Sequence, residues 1–200
     1  MKVTDIKQQV KRQDRYSIFI DGKYSFSLSE SELLAQGLRI GREFTPDEFA
    51  AVKDDAIIDK GIYRVLDLIS RRLRSKWEIE DYLKRKGYNP EEITKIVDRL
   101  ENKGYIDDLN FAKRWVENRR LLKSTSKRKL RMELRQKRIV DDVIEKVLDE
   151  DQADEQEILR DLIAKKRQQT RYQEDQKLIA YLARQGFNYG DIKSAIDESS

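Results

Sequence analysis

Adjacent carboxylates are among the residues of this sequence whose types and spacing could support acid–base or metal chemistry. Such pairs occur at Asp54-Asp55, Asp107-Asp108 and Asp141-Asp142. Each pair lies at or near an expected helix end, where a carboxylate caps free backbone N–H groups and interacts favourably with the helix dipole. Helix capping therefore explains these residues, and we assign none of them to a catalytic or metal site.

The composition excludes most other catalytic arrangements. The 200 residues include no cysteine and no histidine. Their absence rules out disulfides, thiolate catalysis, Cys/His zinc sites and the commonest general base at neutral pH. The sequence also lacks a glycine-rich phosphate loop and a nucleophile elbow. We therefore expect a protein that is not an enzyme and that uses no cofactor, no metal ion and no small-molecule substrate.

The strongest chemical feature is a run of basic side chains that suits an anionic partner. Ten bases fall within about 20 residues: Arg119, Arg120, Lys123, Lys127, Arg128, Lys129, Arg131, Arg135, Lys137 and Arg138. Glu133 is the only acid among them. Steps of three and four residues place Lys127, Arg131 and Arg135 on one helix face, where like charges repel. Nucleic-acid phosphates or an acidic protein groove would neutralise these charges. The alternative is that the bases form an ordinary solvated surface, and that the acidic residues from Asp141 onward balance part of their charge.

Two smaller basic clusters occur outside this run. One contains Lys84 and Arg85 and extends back to Arg71, and the other contains Lys165 and Lys166 and extends to Arg184. Because parts of these clusters echo the position of the main run, tandem repeats would present a discontinuous basic ridge along one side. A solvated surface is the simpler interpretation of the two smaller clusters taken alone.

The elements that carry these bases are predicted to be helices arranged in repeats. From Tyr63 onward, apolar residues recur three or four positions apart, with short breaks between the runs. Aligning Gly87, Arg138 and Gly186 gives a period of about 50 residues. The columns four residues before and six residues after are apolar throughout: Leu83, Leu134 and Leu182, then Ile93, Ile144 and Ile192. The glycines predict left-handed helix ends, and we expect a different corner at Arg138 because arginine disfavours that conformation.

Aromatic residues of the helical region fall at expected core positions. They are Trp77, Tyr82, Tyr88, Trp115, Tyr181 and Phe187. We therefore interpret them as packing residues and not as platforms on which nucleic-acid bases stack.

Residues 1–60 are predicted to form a different structure. Strand-forming residues at Tyr16–Ile20, an Asp21-Gly22 turn and an alternating pattern after it predict a β-hairpin, and Val3–Val10 is a candidate third strand. A serine cap and early acids predict a short helix over Ser29–Gln36. Thr45 and the proline after it begin a second helix that we expect to run toward residue 61.

Together these features predict a mainly α-helical protein, an elongated stack of three tandem three-helix repeats preceded by a small N-terminal β-hairpin and helix segment. The expected boundaries are 1–60 for that segment and 61–105, 106–152 and 153–200 for the repeats. Charged residues make up 40% of the chain, as is typical of narrow helical stacks. No signal-peptide pattern and no apolar run of membrane-spanning length occurs. We therefore expect a soluble, cytoplasmic protein without a membrane partner.

Several ordered motifs resemble the RecX family of bacterial recombinase regulators. They are Tyr82-Leu83-Lys84-Arg85-Lys86-Gly87-Tyr88, the stretch from Leu100 through Gly104-Tyr105-Ile106-Asp107-Asp108 to Phe111-Ala112, Trp115-Val116 and Arg119, the segment Lys129–Lys137 and the segment Gln176–Phe187. The resemblance covers about residues 60–196, and the N-terminal region looks like that of longer family members. Arg138 departs from the pattern, because glycine is more usual there in the family.

The resemblance implies a regulator that binds the RecA recombinase or its filament on DNA and restrains filament growth, ATP hydrolysis and strand exchange. Contact with single- or double-stranded DNA would be weak or made through the filament. We expect the partner-binding residues to be Lys84, Arg85, Arg119, Arg120, Lys127, Arg128, Arg131 and Arg135. The competing hypothesis is a stand-alone DNA-binding protein, since three-helix units resemble helix-turn-helix domains in outline and basic runs bind phosphates.

Overall fold

The computed structural model describes residues 1–122 and 124–198, and over these ranges it contains ten α-helices and one three-stranded antiparallel sheet. The mainly α-helical class and the three helical repeats predicted from the sequence are confirmed. The chain divides into two compact units, Met1–Ile106 and Asp107–Ser200. Across the described ranges, none of the helices combines the length and the apolar composition needed to cross a bilayer.

The N-terminal sheet contains the predicted hairpin and the third strand. Strands β1 (Val3–Gln9), β2 (Arg12–Ile20) and β3 (Lys23–Ser29) pair in that order. Asp21 and Gly22 form the tight β2–β3 turn with positive φ angles of 49° and 79°, which match the right-handed twist of a hairpin. Alternate residues of the strands then reach the same face, so the sheet buries one apolar side.

Helix α1 (Glu30–Ala35) and helix α2 (Pro46–Arg71) follow the sheet. Ser29 caps α1 as predicted. The N-terminus of α2 is a capping box, because Thr45 Oγ1 accepts a hydrogen bond from Glu48 N at 3.3 Å and Glu48 Oε2 accepts one from Thr45 N at 2.8 Å. This reciprocal capping fixes the start of α2, and the helix begins at the position that the sequence predicts.

The expectation that this helix ends near residue 61 is wrong. Helix α2 is 26 residues long and continues to Arg71. Its first half packs Val52 and Ala56 into the core under the sheet, and its second half packs Val65 into the first helical repeat. Gly61 lies inside the helix, and a Cβ atom there would overlap the side chain of Ile96, which explains why this position is a glycine. The predicted boundary after residue 60 therefore falls within one continuous helix.

A buried ion pair joins the sheet to α2. Arg15 Nη1 on β2 lies 3.0 Å from Asp59 Oδ2 on α2, and Arg15 is only 1% exposed. Asp59 also accepts hydrogen bonds from Ser29, at 2.9 Å from the backbone N and at 2.6 Å from Oγ. The charge of each partner is thus balanced at a site that is almost closed to water.

The remaining helices complete the three repeats. They are α3 (Lys76–Arg85), α4 (Pro90–Asn102), α5 (Asp108–Leu122), α6 (Lys127–Gln136), α7 (Asp141–Glu150), α8 (Glu155–Arg167), α9 (Asp175–Arg184) and α10 (Tyr189–Asp197), with a 3-10 helix at Thr170–Tyr172. The aligned leucines Leu83, Leu134 and Leu182 are all fully buried. Each repeat therefore places the same column of its sequence in its own core.

The corner that follows this leucine is the same in all three repeats. Gly87, Arg138 and Gly186 have positive φ angles of 84°, 59° and 92°. In each repeat the N–H of the next residue donates to the carbonyl of the aligned leucine, at 3.2, 3.2 and 3.3 Å. The expectation of a different corner at Arg138 is wrong, because burial of Ile139, which is 4% exposed, favours the same helix ending.

The surroundings of two of these glycines predict unequal costs for alanine. A Cβ atom at Gly87 meets nothing within 4 Å, so Gly87→Ala is expected to cost only the left-handed strain, about 1 kcal/mol. A Cβ atom at Gly186 would overlap Ser126 Oγ and lie 2.8 Å from Lys129 Cβ. We expect Gly186→Ala to cost about 3 kcal/mol in urea unfolding, because overpacking adds to the strain. Equal losses in the two variants would contradict this account.

Candidate partner-binding surface

Helix α6 carries most of the predicted basic face. Ser126 Oγ caps this helix by accepting a hydrogen bond from Lys129 N at 3.1 Å. Leu130 and Leu134 face the core and are fully buried. Their burial sets the rotation of the helix, so Arg128 lies on the exposed side and Arg131 is half-buried.

Acidic side chains of α7 neutralise two arginines of this face. Arg131 donates from Nε and Nη2 to the two carboxylate oxygens of Glu145, at 2.7 and 2.6 Å. Arg135 Nε donates to Asp141 Oδ1 at 2.8 Å. These hydrogen bonds raise the pKa of each arginine and lower the pKa of Glu145 and of Asp141. Both pairs are therefore charged at neutral pH, and the expected repulsion among the bases is relieved within the chain.

Arg119 and Arg120 at the end of α5 form ion pairs that are less exposed than those of Arg131 and Arg135. Arg119 Nε donates to Glu133 Oε2 at 2.6 Å, and its guanidinium lies 4.6 Å from the centre of the Trp115 ring. Arg120 pairs with Asp151 at 2.5 Å, and the two side chains are only 14% and 9% exposed. Arg120 also donates to the carbonyl of Thr125. These contacts give Arg120 a structural role, and its predicted contact with a partner stays a prediction.

The other predicted bases of this region differ in how they are held. Lys127 Nζ donates to the carbonyl of Asp151 at 2.9 Å. Lys129 Nζ donates to two uncharged oxygens, the Gln185 side chain at 2.9 Å and the Arg184 carbonyl at 3.1 Å. Arg128 is exposed and forms no hydrogen bond or ion pair with any residue in 1–122 or 124–198. Lys123 lies outside the described residues.

Lys84 and Arg85 lie on α3 in the Met1–Ile106 unit. Arg85 pairs with Asp81 at 2.8 Å on the helix surface. Lys84 borders a pocket of about 520 Å³ whose wall includes Trp77. Trp77 is 42% exposed, so its assignment as a packing residue is wrong. Trp77 lies in the first turn of α3. The residues of α3 that face the core are Ile79 and Leu83.

A cationic cluster of the same unit was missed in the sequence. The Arg12 guanidinium lies 4.9 Å from the centre of the Tyr63 ring. Burial lowers the pKa of Lys60, and the nearby cations Arg64, Arg15 and Arg12 lower it further. The three- and four-residue steps from Lys60 to Tyr63 and Arg64 were a visible signal. Nothing local indicated that Arg12, from a distant strand, would join them.

At least one aspartate of each pair has a structural partner. Asp107 Oδ1 caps α5 by accepting a hydrogen bond from Asn110 N at 3.0 Å, as expected. Asp54 and Asp55 lie inside α2, so their assignment to a helix end is wrong, and Asp55 instead pairs with Arg99 at 3.4 Å. Among the residues that the structure describes, no group of three or more acidic side chains is arranged to hold a metal ion.

Comparison with known families matches four successive parts of the chain. Residues 1–45 match the regulatory protein RecX N-terminal domain. Residues 63–100, 107–148 and 153–196 match the first, second and third three-helix domains of RecX. The matches follow the order of the sheet and of the three helical repeats described above.

Individual relatives and solved structures agree with these matches. The regulatory protein RecX of Listeria monocytogenes is 31% identical over 207 residues, which cover 100% of this chain and 76% of that protein. The regulatory protein RecX of Bacillus subtilis is 32% identical over 201 residues, with 98% and 76% covered. A crystal structure of regulatory protein RecX superimposes with a TM-score of 0.74 at 28% identity and covers 98% of both chains. The structure of RecX from Lactobacillus salivarius gives 0.61 at 25% identity, covering 71% of this chain and 96% of that one.

The similarity extends from the N-terminal sheet through the third helical repeat, in sequence and in fold. The chain therefore belongs to the RecX family of regulatory proteins.

Proposed function

We propose that the protein binds the RecA recombinase or its filament on DNA and inhibits filament growth, ATP hydrolysis and strand exchange. In this way it would modulate homologous recombination and DNA repair. Membership of the RecX family supports a regulatory role. The observation that carries the proposal is the α6 basic face, which we define as Arg128, Arg131 and Arg135.

The α6 basic face suits an acidic partner because two of its three arginines, Arg131 and Arg135, are ordered in advance. A guanidinium group has five N–H donors, and the carboxylates of α7 use only some of them. The side chains of Arg131 and Arg135 remain 33% and 55% exposed. A partner's carboxylates or phosphates would meet side chains whose rotamers are already restricted, which lowers the entropy lost on binding.

Charge reversal of the α6 basic face tests the proposal. The variant Arg128→Glu/Arg131→Glu/Arg135→Glu is expected to abolish inhibition of RecA ATP hydrolysis on single-stranded DNA, measured at substoichiometric ratios. Reversal replaces attraction to an anionic surface with repulsion, which costs several kcal/mol in binding. Circular dichroism should detect unchanged helix content, because the buried leucines are untouched and the lost pairs with Glu145 and Asp141 are solvent-accessible pairs worth about 1 kcal/mol or less each.

A matched control carries the same change of charge elsewhere. Lys95, Lys103 and Lys193 are exposed, and their reversal to glutamate should leave inhibition intact. Full-strength inhibition by the variant of the α6 basic face would show that the contact lies on another surface. Equal losses in both triple variants would reduce the effect to net charge.

Stand-alone DNA binding is the second candidate function, favoured by the cationic cluster of Arg12, Lys60 and Arg64. In that case the wild-type protein would leave RecA ATP hydrolysis unchanged and would still bind naked DNA. Its affinity would fall steeply as salt rises, because bound phosphates release condensed counterions. Gel-shift titrations at several salt concentrations separate this outcome from filament regulation.

A further inference from the structure

A cleft in the Asp107–Ser200 unit lies between the second and third repeats and is separate from the α6 basic face. Its volume is about 410 Å³. Lys129 of α6 and Lys165 and Lys166 of α8 line it, together with Leu121 and Leu122 at the end of α5. We call these five residues the inter-repeat cleft.

The walls of the inter-repeat cleft are joined by hydrogen bonds, so the cleft exists before any partner arrives. The carbonyl of Gln185 accepts from Ser126 N at 3.2 Å and from Ser126 Oγ at 3.1 Å. The Gln185 side chain accepts from Lys129 Nζ at 2.9 Å. These bonds connect the start of α6 to the end of α9, and they hold the lysine in place.

The positive charge of the cleft is not balanced by acids. Lys129 is bonded only to uncharged oxygens. Lys165 has no ion pair with any residue in 1–122 or 124–198, and Lys166 Nζ lies 4.8 Å from the centre of the Tyr181 ring. The carboxylate on the lining, Glu133, is already bound by Arg119 and by the Trp115 indole. The cleft therefore holds three ammonium groups, none of which is paired with a carboxylate of the described residues.

The apolar part of the lining indicates what kind of anion fits. Leu121 and Leu122 are 82% and 79% exposed. Consecutive exposed leucines beside a charged cleft are typical of a protein-binding surface. The Tyr181 ring packs against Tyr172 at 5.1 Å between ring centres and carries Lys166 over it. Because nucleic-acid bases need an open aromatic face for stacking, this lining favours a peptide over a single strand.

We propose that the inter-repeat cleft binds an acidic segment of a partner protein. Carboxylates of that segment would contact the three lysines, and an apolar side chain next to them would pack on Leu121 and Leu122. This inference does not depend on the partner being RecA, and it concerns a surface distinct from the α6 basic face.

The test uses the full chain and a synthetic fluorescent peptide in which four glutamates flank two leucines. Fluorescence anisotropy is expected to detect saturable binding that the double variant Lys165→Glu/Lys166→Glu weakens by at least about tenfold. The variant Leu121→Ser/Leu122→Ser should weaken binding about fivefold, since each leucine loses part of its apolar contact. Reversal of Lys95 and Lys193, outside the cleft, should leave the affinity unchanged.

Three outcomes would overturn the proposal. The first is peptide affinity that is equal in the wild type and in the Lys165/Lys166 variant. The second is equal affinity for a peptide in which serines replace the leucines, because this result would show that the apolar contact does not contribute to binding. The third is tighter binding of an oligothymidylate of the same charge, which would indicate a nucleic-acid site. The neutral variant Lys165→Ala/Lys166→Ala separates a lost contact from a lost fold. Weaker peptide binding with an unchanged circular dichroism spectrum assigns the loss to the missing ammonium groups.

Discussion

Asp59→Ala is expected to lower the free energy of unfolding of the Met1–Ile106 unit by about 4 kcal/mol. The substitution leaves the Arg15 guanidinium, which is 1% exposed, without its counter-charge. It also removes the acceptor of two hydrogen bonds from Ser29. Arg15 cannot swing into solvent without losing its hydrogen bond to the carbonyl of Ser27 at 2.9 Å. An isolated buried charge is therefore the main cost.

The tryptophans allow this loss to be assigned to one unit. The chain has two, and Trp77 lies in Met1–Ile106 while Trp115 lies in Asp107–Ser200. In a Trp115→Phe background, urea unfolding followed by fluorescence reports on the unit that contains Asp59. Glu43→Ala is the control, because it removes an ion pair with Lys2 whose side chains are 55% (Lys2) and 74% (Glu43) exposed. It is expected to cost less than about 0.5 kcal/mol. A loss below about 1 kcal/mol for Asp59→Ala would mean that water solvates Arg15.

Double substitution separates the charge from the packing. Arg15→Met/Asp59→Leu replaces the ion pair with apolar side chains of similar size, which is often nearly neutral when both charges are removed. We expect the double variant to recover more than half of the loss. The remaining deficit would come from Ser29, whose N–H keeps no acceptor from α2.

Arg120→Met is expected to destabilise the Asp107–Ser200 unit by about 3 kcal/mol. The Asp151 carboxylate, whose side chain is 9% exposed, would lose the guanidinium at 2.5 Å. The carbonyl of Thr125, a fully buried residue, would lose a donor as well. Fluorescence of Trp115 in a Trp77→Phe background measures this change in urea.

Arg128→Met is the matched control for Arg120→Met. It removes the same charge from the same basic run, but Arg128 is exposed and without a partner in the described ranges, so stability should change by less than about 0.5 kcal/mol. Arg120→Met/Asp151→Leu should recover much of the loss. Similar stability in the Arg120 and Arg128 variants would contradict a structural role for the buried pair.

The elements that the sequence predicts correctly are those specified by neighbouring residues. Asp21-Gly22 adopts the positive φ angles of a hairpin turn, and Ser29 and Thr45 supply caps that begin helices. The repeat corners lie where Gly87 and Gly186 predict them. Such features depend on backbone sterics and on hydrogen bonds within about four residues.

The errors concern residues whose conformation depends on distant contacts. Gly61 does not end α2, because its function is to admit Ile96 from α4. Arg138 takes a left-handed conformation because Ile139 is buried behind it. Trp77 is exposed although its spacing resembles that of core residues. At Gly61 and Arg138 a packing contact outweighs a local preference of about 1 kcal/mol.

The candidate site divides along the same physical line. The sequence is sufficient to identify a helix with basic residues at three- and four-residue steps, since that pattern depends only on helical geometry. Which of those charges are neutralised depends on folding, because Asp151 lies 31 residues from Arg120 and Glu145 lies 14 residues from Arg131. Ion pairs form over about 3 Å, a distance that no count of charges along the chain can provide. Folding likewise created the inter-repeat cleft, since it brought Lys129 within reach of Gln185, 56 residues away.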